Sequence, residues 1–382
     1  MEDATMGRAV ADPGQMTPIE ATRCAEVDSS WTPGLGAGTP IVHVSDRATS
    51  LAQILLRARK PAKSGCSDAG CPTCEAILRR RLLPIIEAGK PVEMVISAFP
   101  YKIPNPRKTL GTLPDESERV ALKALAGLCR MMTNQYSPGT RVVIGSDGLP
   151  FSHVDAAWSD LEDDQIREYV RGLRGIIREI GASDVLRVTS LDDFMAGEGG
   201  AAEMRARLER EYAEIPREAV HERFKDTPMY AGIKRAFTED LADSPRIGGL
   251  VESGRMGKKA LRRMAGELAV ETIYYSMAWR NLLSANYPDA IRLSIHPECL
   301  HLTPYGKEKL GVRFEKSLGF WIADRVREIA EDETTDISPW QSAWVEDRAT
   351  GQGCRMKRWV AERIGAELVV VHGRPSHFVI GS

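Results

Sequence analysis

Two short apolar runs, each followed at once by a polar turn, constrain the fold of this chain more than any other feature. The runs cover residues 92–97 and 141–146, and apolar side chains recur at helical spacing between them. An order of strand, loop, helix and strand is typical of neighbouring parallel strands. Ligands of open α/β sheets bind outside the carboxyl ends of the strands, where we expect both polar turns to lie.

The same alternation continues along the chain. Residues 160–180 carry an amphipathic helical pattern, and residues 356–364 carry a shorter one. Further strands are predicted at residues 184–189, 291–295 and 367–371, and residues 340–346 form a further element whose type is left open. Strands that alternate with helices predict an α/β fold with a largely parallel sheet flanked by helices.

The first 40 residues differ from the rest. They are rich in Gly, Pro, Thr and Ala and show no sustained period, so we expect a loose N-terminal arm at residues 1–40. Residues 41–382 are expected to form the α/β catalytic domain. Polar helical patterns at about 198–285 predict a helical insertion within that domain.

Charge and hydropathy narrow the classes of function. The 382 residues include 51 basic and 53 acidic side chains, a net charge of −2, which gives no indication of nucleic acid or an anionic membrane as partner. No apolar run is long enough to span a bilayer, and the acidic N-terminus does not resemble a secretory signal. Seven cysteines, an odd number in a chain of this length, argue against a disulfide framework. We therefore expect a cytoplasmic protein with reduced thiols.

The loop after the first apolar run is rich in cations and prolines. Lys102, Asn105, Arg107 and Lys108 fall within seven residues, and the prolines between them restrict the backbone. A stiff cationic loop loses little entropy when it binds phosphate or carboxylate, so an anion site is one interpretation. A solvated surface loop is the other.

The second polar turn contains Ser146 and Asp147, followed by His153. A carboxylate at a strand end can orient a ligand hydroxyl or accept a proton, and a histidine titrates near neutral pH. An Asp-Gly dipeptide is also a common turn, and a single histidine is more often structural than catalytic.

A later strand carries alternating polar side chains. Arg292, Ser294 and His296 are expected on one face, with Leu293 and Ile295 on the other. The polar face either lines a pocket or belongs to an exposed edge strand.

A cluster of cysteines precedes these motifs. Cys66, Cys71 and Cys74 have the spacing of part of an iron–sulfur or zinc pattern, but no fourth cysteine follows at a suitable distance. Structural thiols near a helix start are the other interpretation, so we expect no metal site and keep these three cysteines as the candidates if one exists. No Walker A sequence and no strand-linked GxGxxG is present.

Three blocks of sequence resemble one known family. Residues 99–115, 136–151 and 291–297 are similar, in the same order, to signatures of the isocyanide (isonitrile) synthases, also called the pyoverdine/dityrosine biosynthesis family. The segment at residues 230–241 and the Pro339-Trp340 dipeptide also fit, and the similarity extends over roughly residues 45–380.

The resemblance implies a Rossmann-like fold and a reaction. In such a synthase the amine of an amino acid, typically tyrosine or tryptophan, becomes an isocyanide in secondary-metabolite biosynthesis. Ribulose 5-phosphate supplies the carbon, and no further cofactor is required. The implied partners are therefore small molecules, and an iron/2-oxoglutarate oxygenase is a common pathway neighbour.

The candidate residues can be given roles in that reaction. Proton transfer is assigned to Lys102, Asp147, His153 and His296. Substrate binding is assigned to Asn105, Lys108, Ser146, Arg292, Ser294 and Trp340, and binding of the phosphate is the alternative role for Lys102. Three positions depart from the family pattern: Ile103, His153 and Gln341, where a small polar residue, an Asp and a His are usual.

Two alternatives stay open. One is a different sugar-phosphate lyase or transferase that stops at the imine or aldol stage. The other is a metal-binding module built on the cysteine cluster.

Overall fold

A computed structural model describes residues 43–59, 71–197, 199–296, 299–300, 309–311 and 338–381. The described residues belong to one compact unit that begins at Val42. The predicted arm at residues 1–40 and Cys66 lie outside the described residues.

The main sheet of the described residues is entirely parallel. Its strands are β1 (Val92–Ser97), β2 (Thr140–Gly145), β3 (Leu186–Thr189), β4 (Ile291–Ser294) and β5 (Leu310–Gly311), in the order β3-β2-β1-β4-β5. Central residues of β1 and β2 are almost fully buried, as expected when helices cover both faces of a parallel sheet. The predicted α/β fold with a largely parallel sheet is confirmed.

Helices occupy most of the rest of the described chain. They are α1 (Val44–Arg57), α2 (Pro72–Glu87), α3 (Glu116–Thr133), α4 (Gly148–Ala156), α5 (Asp163–Glu179), α6 (Leu191–Phe194), α7 (Ala201–Tyr212), α8 (Arg217–Phe224), α9 (Pro228–Asp243), α10 (Pro245–Glu252), α11 (Lys258–Asn286) and α12 (Arg358–Arg363). None of them combines the length and apolar composition that a membrane-spanning helix needs.

Helix α3 begins with a reciprocal cap that also matters for the site. The Asp115 carboxylate accepts the Ser117 N–H at 2.8 Å, and the Glu118 carboxylate accepts the Asp115 N–H at 3.0 Å. Such a capping box satisfies two backbone donors that a helix start leaves without partners. Both carboxylates are thereby fixed beside the loop that follows β1.

After the short α6, five helices, α7 to α11, lie between β3 and β4 in the sequence. The 29-residue α11 is the centre of this group and packs against α4, α7, α8 and α9. Its buried face repeats at helical spacing through Leu261, Leu268, Tyr275 and Leu282. These helices fall in the region where a helical insertion is predicted.

A second, mixed sheet follows near the C-terminus. Its strands are β6 (Ala343–Asp347), β7 (Gly353–Met356), β8 (Glu367–Val371) and β9 (Arg374–Ile380), in the order β7-β6-β9-β8. Only β6 pairs with β9 in parallel; the β6–β7 and β8–β9 pairs are antiparallel. The sheet has its own small core, which includes Val345, Val360 and Phe378.

The sequence predicted this sheet only in part. The element at residues 340–346, whose type was left open, divides into a 3₁₀ turn at Pro339–Gln341 and the strand β6. Proline has no backbone N–H and cannot extend a hydrogen-bonded ladder, so the strand begins only at Ala343. Strands β7 and β9 were missed because one is four residues long and the other contains Pro375 and several polar residues.

Candidate functional site

The order of the parallel strands creates a crevice between β1 and β4. From β1 the chain proceeds through β2 to β3 on one side, whereas β4 and β5 lie on the other side. The connections therefore leave the carboxyl ends of β1 and β4 in opposite directions, which is the usual position of a ligand site in an open α/β sheet. Ser97 ends β1 and Ser294 ends β4, and their preceding residues, Ile96 and Leu293, pair in register.

Asp147 lies at this edge, two residues beyond β2. Its Oδ2 accepts a hydrogen bond from Ser97 Oγ at 3.0 Å, whereas its Oδ1 is buried and has no hydrogen-bond partner in the described residues. Burial raises the pKa of this carboxyl to about 6, and the bond from Ser97 opposes the rise. The side chain does not cap α4, although Asp147 is its N-cap residue. The carboxylate is therefore available for proton transfer near neutral pH.

Gly148 allows the turn to approach the loop after β1. A Cβ at this position would lie 2.1 Å from the Pro100 carbonyl oxygen. Any larger residue would push the two loops apart, so this position requires glycine. Asp147, which carries the carboxylate, is the residue directly before it.

Ser146 connects the same two loops. Its hydroxyl donates to the Phe99 carbonyl oxygen at 2.7 Å, and its N–H donates to the Thr189 carbonyl oxygen at 2.7 Å. Phe99 has a φ of +59°, in the left-handed region that non-glycine residues rarely adopt. The bond from Ser146 therefore helps to hold a strained residue at the crevice.

His296 and Ser294 form the β4 side of the edge. Ser294 is buried, and its hydroxyl oxygen accepts the His296 N–H at 3.1 Å. His296 itself is exposed. The structure thus brings Ser97, Asp147 and Ser294 to one sheet edge, with His296 directly beyond β4.

Lys102 is enclosed in a buried network. Its Nζ lies 2.9 Å from both an Asp115 oxygen and a Glu118 oxygen, and donates to the carbonyl oxygens of Pro339 and Ser342 at 2.9 and 3.1 Å. The side chain is fully buried. An ammonium group has three N–H donors, so these four acceptors use all of them.

Asn105 and Lys108 are also engaged by protein carboxylates. Asn105 donates to Asp240 at 2.8 Å, and the Lys108 Nζ lies 2.7 Å from Asp240 and 3.0 Å from Glu239. Both residues are buried. Burial acts to lower the pKa of Lys108, but the two carboxylates outweigh it and the pKa is raised. Helix α9 thus neutralises the end of the loop.

Arg292 points towards α11. Its Nη1 donates to Ser284 Oγ at 2.6 Å and to the Arg280 carbonyl oxygen at 3.4 Å. Burial, with the nearby charges of Arg280 and Arg81, lowers the pKa of Arg292 to about 10. No carboxylate of the described residues forms an ion pair with it, so its positive charge is less compensated than that of Lys102 or Lys108.

His153 belongs to a different cluster. Its ring packs edge-on against Tyr275 at 4.7 Å, and its Nε2 lies 3.9 Å from Glu271, which also pairs with Arg217 at 3.4 Å. Neither ring nitrogen has a hydrogen-bond partner in the described residues, so His153 is not bonded to Asp147. A cavity of about 420 Å³ opens beside Glu271, between α8, α9 and α11.

Trp340 lies beside the strained residue at the crevice. Its ring meets that of Phe99 edge-on, with centroids 5.3 Å apart, and it is buried. Its carbonyl oxygen accepts the Ile103 N–H at 3.0 Å. The 3₁₀ turn and the loop after β1 are thus joined by both aromatic packing and backbone bonding.

Cys71 and Cys74 lie at the start of α2. The Cys74 N–H donates to the Cys71 sulfur at 3.5 Å, and burial raises the pKa of the Cys74 thiol to about 11. Across the described ranges, no group of three His, Cys, Asp or Glu side chains has the geometry to hold a metal ion.

Sequence reasoning missed Ser97 and the acidic partners of the loop. Ser97 was taken only as the end of a strand, although its hydroxyl is the group that meets Asp147. Asp115 was predicted only as part of a helix start, although its carboxylate is a partner of Lys102. Asp240 lies 132 residues beyond Lys108, and no local pattern links them.

The fold, together with the side chains at the carboxyl edge of the parallel sheet, defines a class of protein. A carboxyl with a raised pKa, set at the switch point of an open parallel sheet, is typical of α/β enzymes. The family can be stated more closely: the family model described as pyoverdine/dityrosine biosynthesis protein matches residues 83–367, and this chain belongs to that family.

Individual relatives support this membership. An L-tyrosine isonitrile synthase of Pseudomonas aeruginosa is 34% identical over 309 residues, which cover 80% of this chain and 84% of the relative. An L-tryptophan isonitrile synthase of Fischerella ambigua is 31% identical over 316 residues, covering 82% and 85%. The crystal structure of the PvcA protein from Pseudomonas aeruginosa matches with a TM-score of 0.71 at 31% identity and covers 88% of this chain and 100% of that one.

Proposed function

We propose that this protein is an isocyanide synthase that acts on the amine of an amino acid, tyrosine or tryptophan, with ribulose 5-phosphate as carbon donor. The observation that carries the proposal is the similarity to named L-tyrosine and L-tryptophan isonitrile synthases over about four-fifths of both chains. We place the reaction in secondary-metabolite biosynthesis, with small-molecule substrates and no additional cofactor.

The chemistry requires groups that move protons. The amine attacks the C2 ketone of the sugar phosphate, and loss of water gives an imine; later steps break carbon–carbon bonds. A carboxyl with a pKa of about 6 can both accept and return a proton near neutral pH, which supports Asp147 in this role. His296, exposed at the neighbouring strand end, is the second proton carrier that we propose.

The phosphate needs a cation without a fixed counter-charge. Lys102 and Lys108 each contact two carboxylates, so we assign both lysines, with Asn105, to holding the loop and not to binding substrate. Arg292 has no carboxylate partner in the described residues and remains the proposed phosphate ligand. Ser294 and Trp340 remain proposed contacts of the substrates.

Product trapping tests the proposal. Purified protein is incubated with ribulose 5-phosphate and with tyrosine or tryptophan, and any isocyanide is captured with a tetrazine and identified by mass. We expect a product that requires both substrates and that carries the label when the sugar is labelled with ¹³C at C2. Folded protein that gives no isocyanide with a panel of amino acids would overturn the assignment.

The same assay separates the neighbouring reaction classes. A lyase or transferase that stops at the imine or aldol stage would consume ribulose 5-phosphate and give a product of different mass. An isocyanide product formed after treatment with a chelator would support the proposal that no metal is needed.

A further inference from the structure

The edge strand β8 of the second sheet exposes apolar side chains. Its sequence is Glu-Leu-Val-Val-Val, and Leu368, Val370 and Val371 are 43%, 56% and 44% exposed. The opposite edge strand, β7, is buried throughout. An apolar edge strand offers unpaired backbone groups to another strand, and natural proteins usually protect such edges with charge, proline or a covering segment.

The exposed residues continue a buried apolar row. Leu368 lies directly across from Phe378 on β9, and paired residues of antiparallel strands point to the same face. Phe378 belongs to the small core of this sheet. The apolar row therefore runs from that core through Leu368 and ends at the open edge, where a further strand would extend it.

We propose that β8 pairs with β8 of a second copy of this chain, antiparallel, about a two-fold axis at Val369. In that register Leu368 of each copy faces Val370 of the other, so the apolar row crosses the axis. The two four-stranded sheets would then form one continuous eight-stranded sheet. A two-fold interface uses the same patch on both copies, and this strand is self-complementary in that way.

Charge favours the antiparallel arrangement. An acidic residue, Glu367, begins β8, whereas His372 and Arg374 lie just beyond its other end. Antiparallel pairing places the acidic end of one strand alongside the basic end of the other, whereas parallel pairing would align like charges. Arg348 already contacts Glu367 within the same copy, and both side chains remain exposed.

Sedimentation equilibrium of the full chain tests whether copies associate. Because one strand pair buries less than a standard interface, we expect dissociation in the range of about 1–100 µM. Val370→Lys should weaken the dimer by at least about tenfold, since two ammonium groups are placed beside the axis. Met131→Lys replaces an apolar residue of 45% exposure on α3 and should leave the dimer unchanged.

Disulfide trapping tests the register. In a Cys24→Ser, Cys66→Ser background, Val369→Cys should form a cross-linked dimer under mild oxidation, because residues opposite each other across antiparallel strands have Cα separations within the disulfide range. Val371→Cys is the matched control, because in this register it faces Glu367 and should not cross-link.

Three results would overturn the proposal. The first is a monomer at all concentrations up to about 100 µM. The second is a dimer that survives Val370→Lys while circular dichroism shows the native fold. The third is equal cross-linking of both cysteine variants. A dimer that cross-links only through residue 369 supports the two-fold pairing.

Discussion

The turn at Asp147 and Gly148 combines a close backbone contact with a carboxylate of raised pKa. The Asp-Gly dipeptide is a turn, as one interpretation of the sequence held, because Gly148 permits the close approach to Pro100. The same turn presents a carboxylate to Ser97 in a place that water reaches poorly. The two interpretations that the sequence left open are therefore compatible.

Replacing Asp147 by Asn removes the proton acceptor and keeps the shape. We expect Asp147→Asn to lower kcat for isocyanide formation by about 100-fold or more, which is within the range for loss of a general acid or base. Thermal unfolding should be unchanged or slightly higher at pH 8, since a buried charge is removed. Asp160→Asn, at an exposed position, is the control and should leave both measurements unchanged. Full activity of Asp147→Asn would exclude the carboxylate from proton transfer.

The pH dependence follows from the raised pKa of Asp147. If the carboxylate acts as a base, kcat/KM should rise with pH through about 6 and then level off. Stability should change in the opposite direction: a carboxyl with a raised pKa in the folded state favours folding at low pH and loses that contribution as pH rises through about 6. Rates and unfolding midpoints measured from pH 5 to pH 8 check both trends, and Asp147→Asn should lack them.

At the scale of the element, the loop after β1 is a connector between two sheets. Lys102 ties the start of α3 to the 3₁₀ turn that precedes β6, through Asp115 and Glu118 on one side and two carbonyl oxygens on the other. Arg355 of β7 adds a further bond to the Ser117 carbonyl oxygen at 3.2 Å. The loop owes its order to this buried network as well as to its prolines.

Removing the positive charge of Lys102 should destabilise the protein through the loop after β1. We expect Lys102→Met to lower the free energy of unfolding by about 3–5 kcal/mol, because two buried carboxylates lose their partner. Adding Glu118→Gln should recover part of the loss. The surface variant Lys123→Met should change stability by less than about 0.5 kcal/mol. Urea unfolding measures all three. A Lys102→Met protein of normal stability that has lost only kcat would instead favour the catalytic role.

Gly148 offers a second test of the loop contacts. We expect Gly148→Ala to cost about 2–3 kcal/mol of unfolding free energy and to lower activity, because the new methyl group collides with the Pro100 carbonyl oxygen. Gly127→Ala on α3 is the matched control: its Cβ meets nothing within 4 Å and should stabilise the helix by about 0.5–1 kcal/mol. Equal effects of the two substitutions on the unfolding midpoint would contradict the contact.

At the scale of the whole molecule, two cores share one buried polar junction. The larger core surrounds the parallel sheet and the smaller one lies under the second sheet. Lys102, Glu118 and Arg355 are buried between elements of both cores. Separating the sheets would therefore expose these charges to water or leave them buried without partners. The two sheets should therefore unfold together.

Two probes can check this cooperativity. Tryptophan fluorescence reports on Trp340 and Trp344 near the second sheet, together with the other tryptophans, whereas far-ultraviolet circular dichroism reports mainly on the helices. We expect their urea transitions to coincide, as two-state unfolding requires. Lys102→Met should separate them. Separate transitions in the unmodified protein would show that the second sheet is independent.

The sequence predicted the parallel sheet better than the site. Apolar runs such as residues 92–97 identify buried strands because the hydrophobic period is local, and Asp147 was found because it follows such a run. The partners of Lys102 and Lys108 lie on other elements, so a local count of charge predicted a free cationic loop where the protein has ion pairs. The second sheet was predicted only in part, because short strands and strands that contain proline show little alternation of apolar and polar residues.

The bonds from Lys102 to the 3₁₀ turn have a consequence for protein engineering. They are made to the backbone carbonyl oxygens of Pro339 and Ser342, so they do not depend on which side chain occupies position 340. Exchanging Trp340 for another residue removes its edge-on packing against Phe99 but keeps these backbone bonds. Because Trp340 is a proposed substrate contact, we propose position 340 as the first choice for a saturation library aimed at substrate preference.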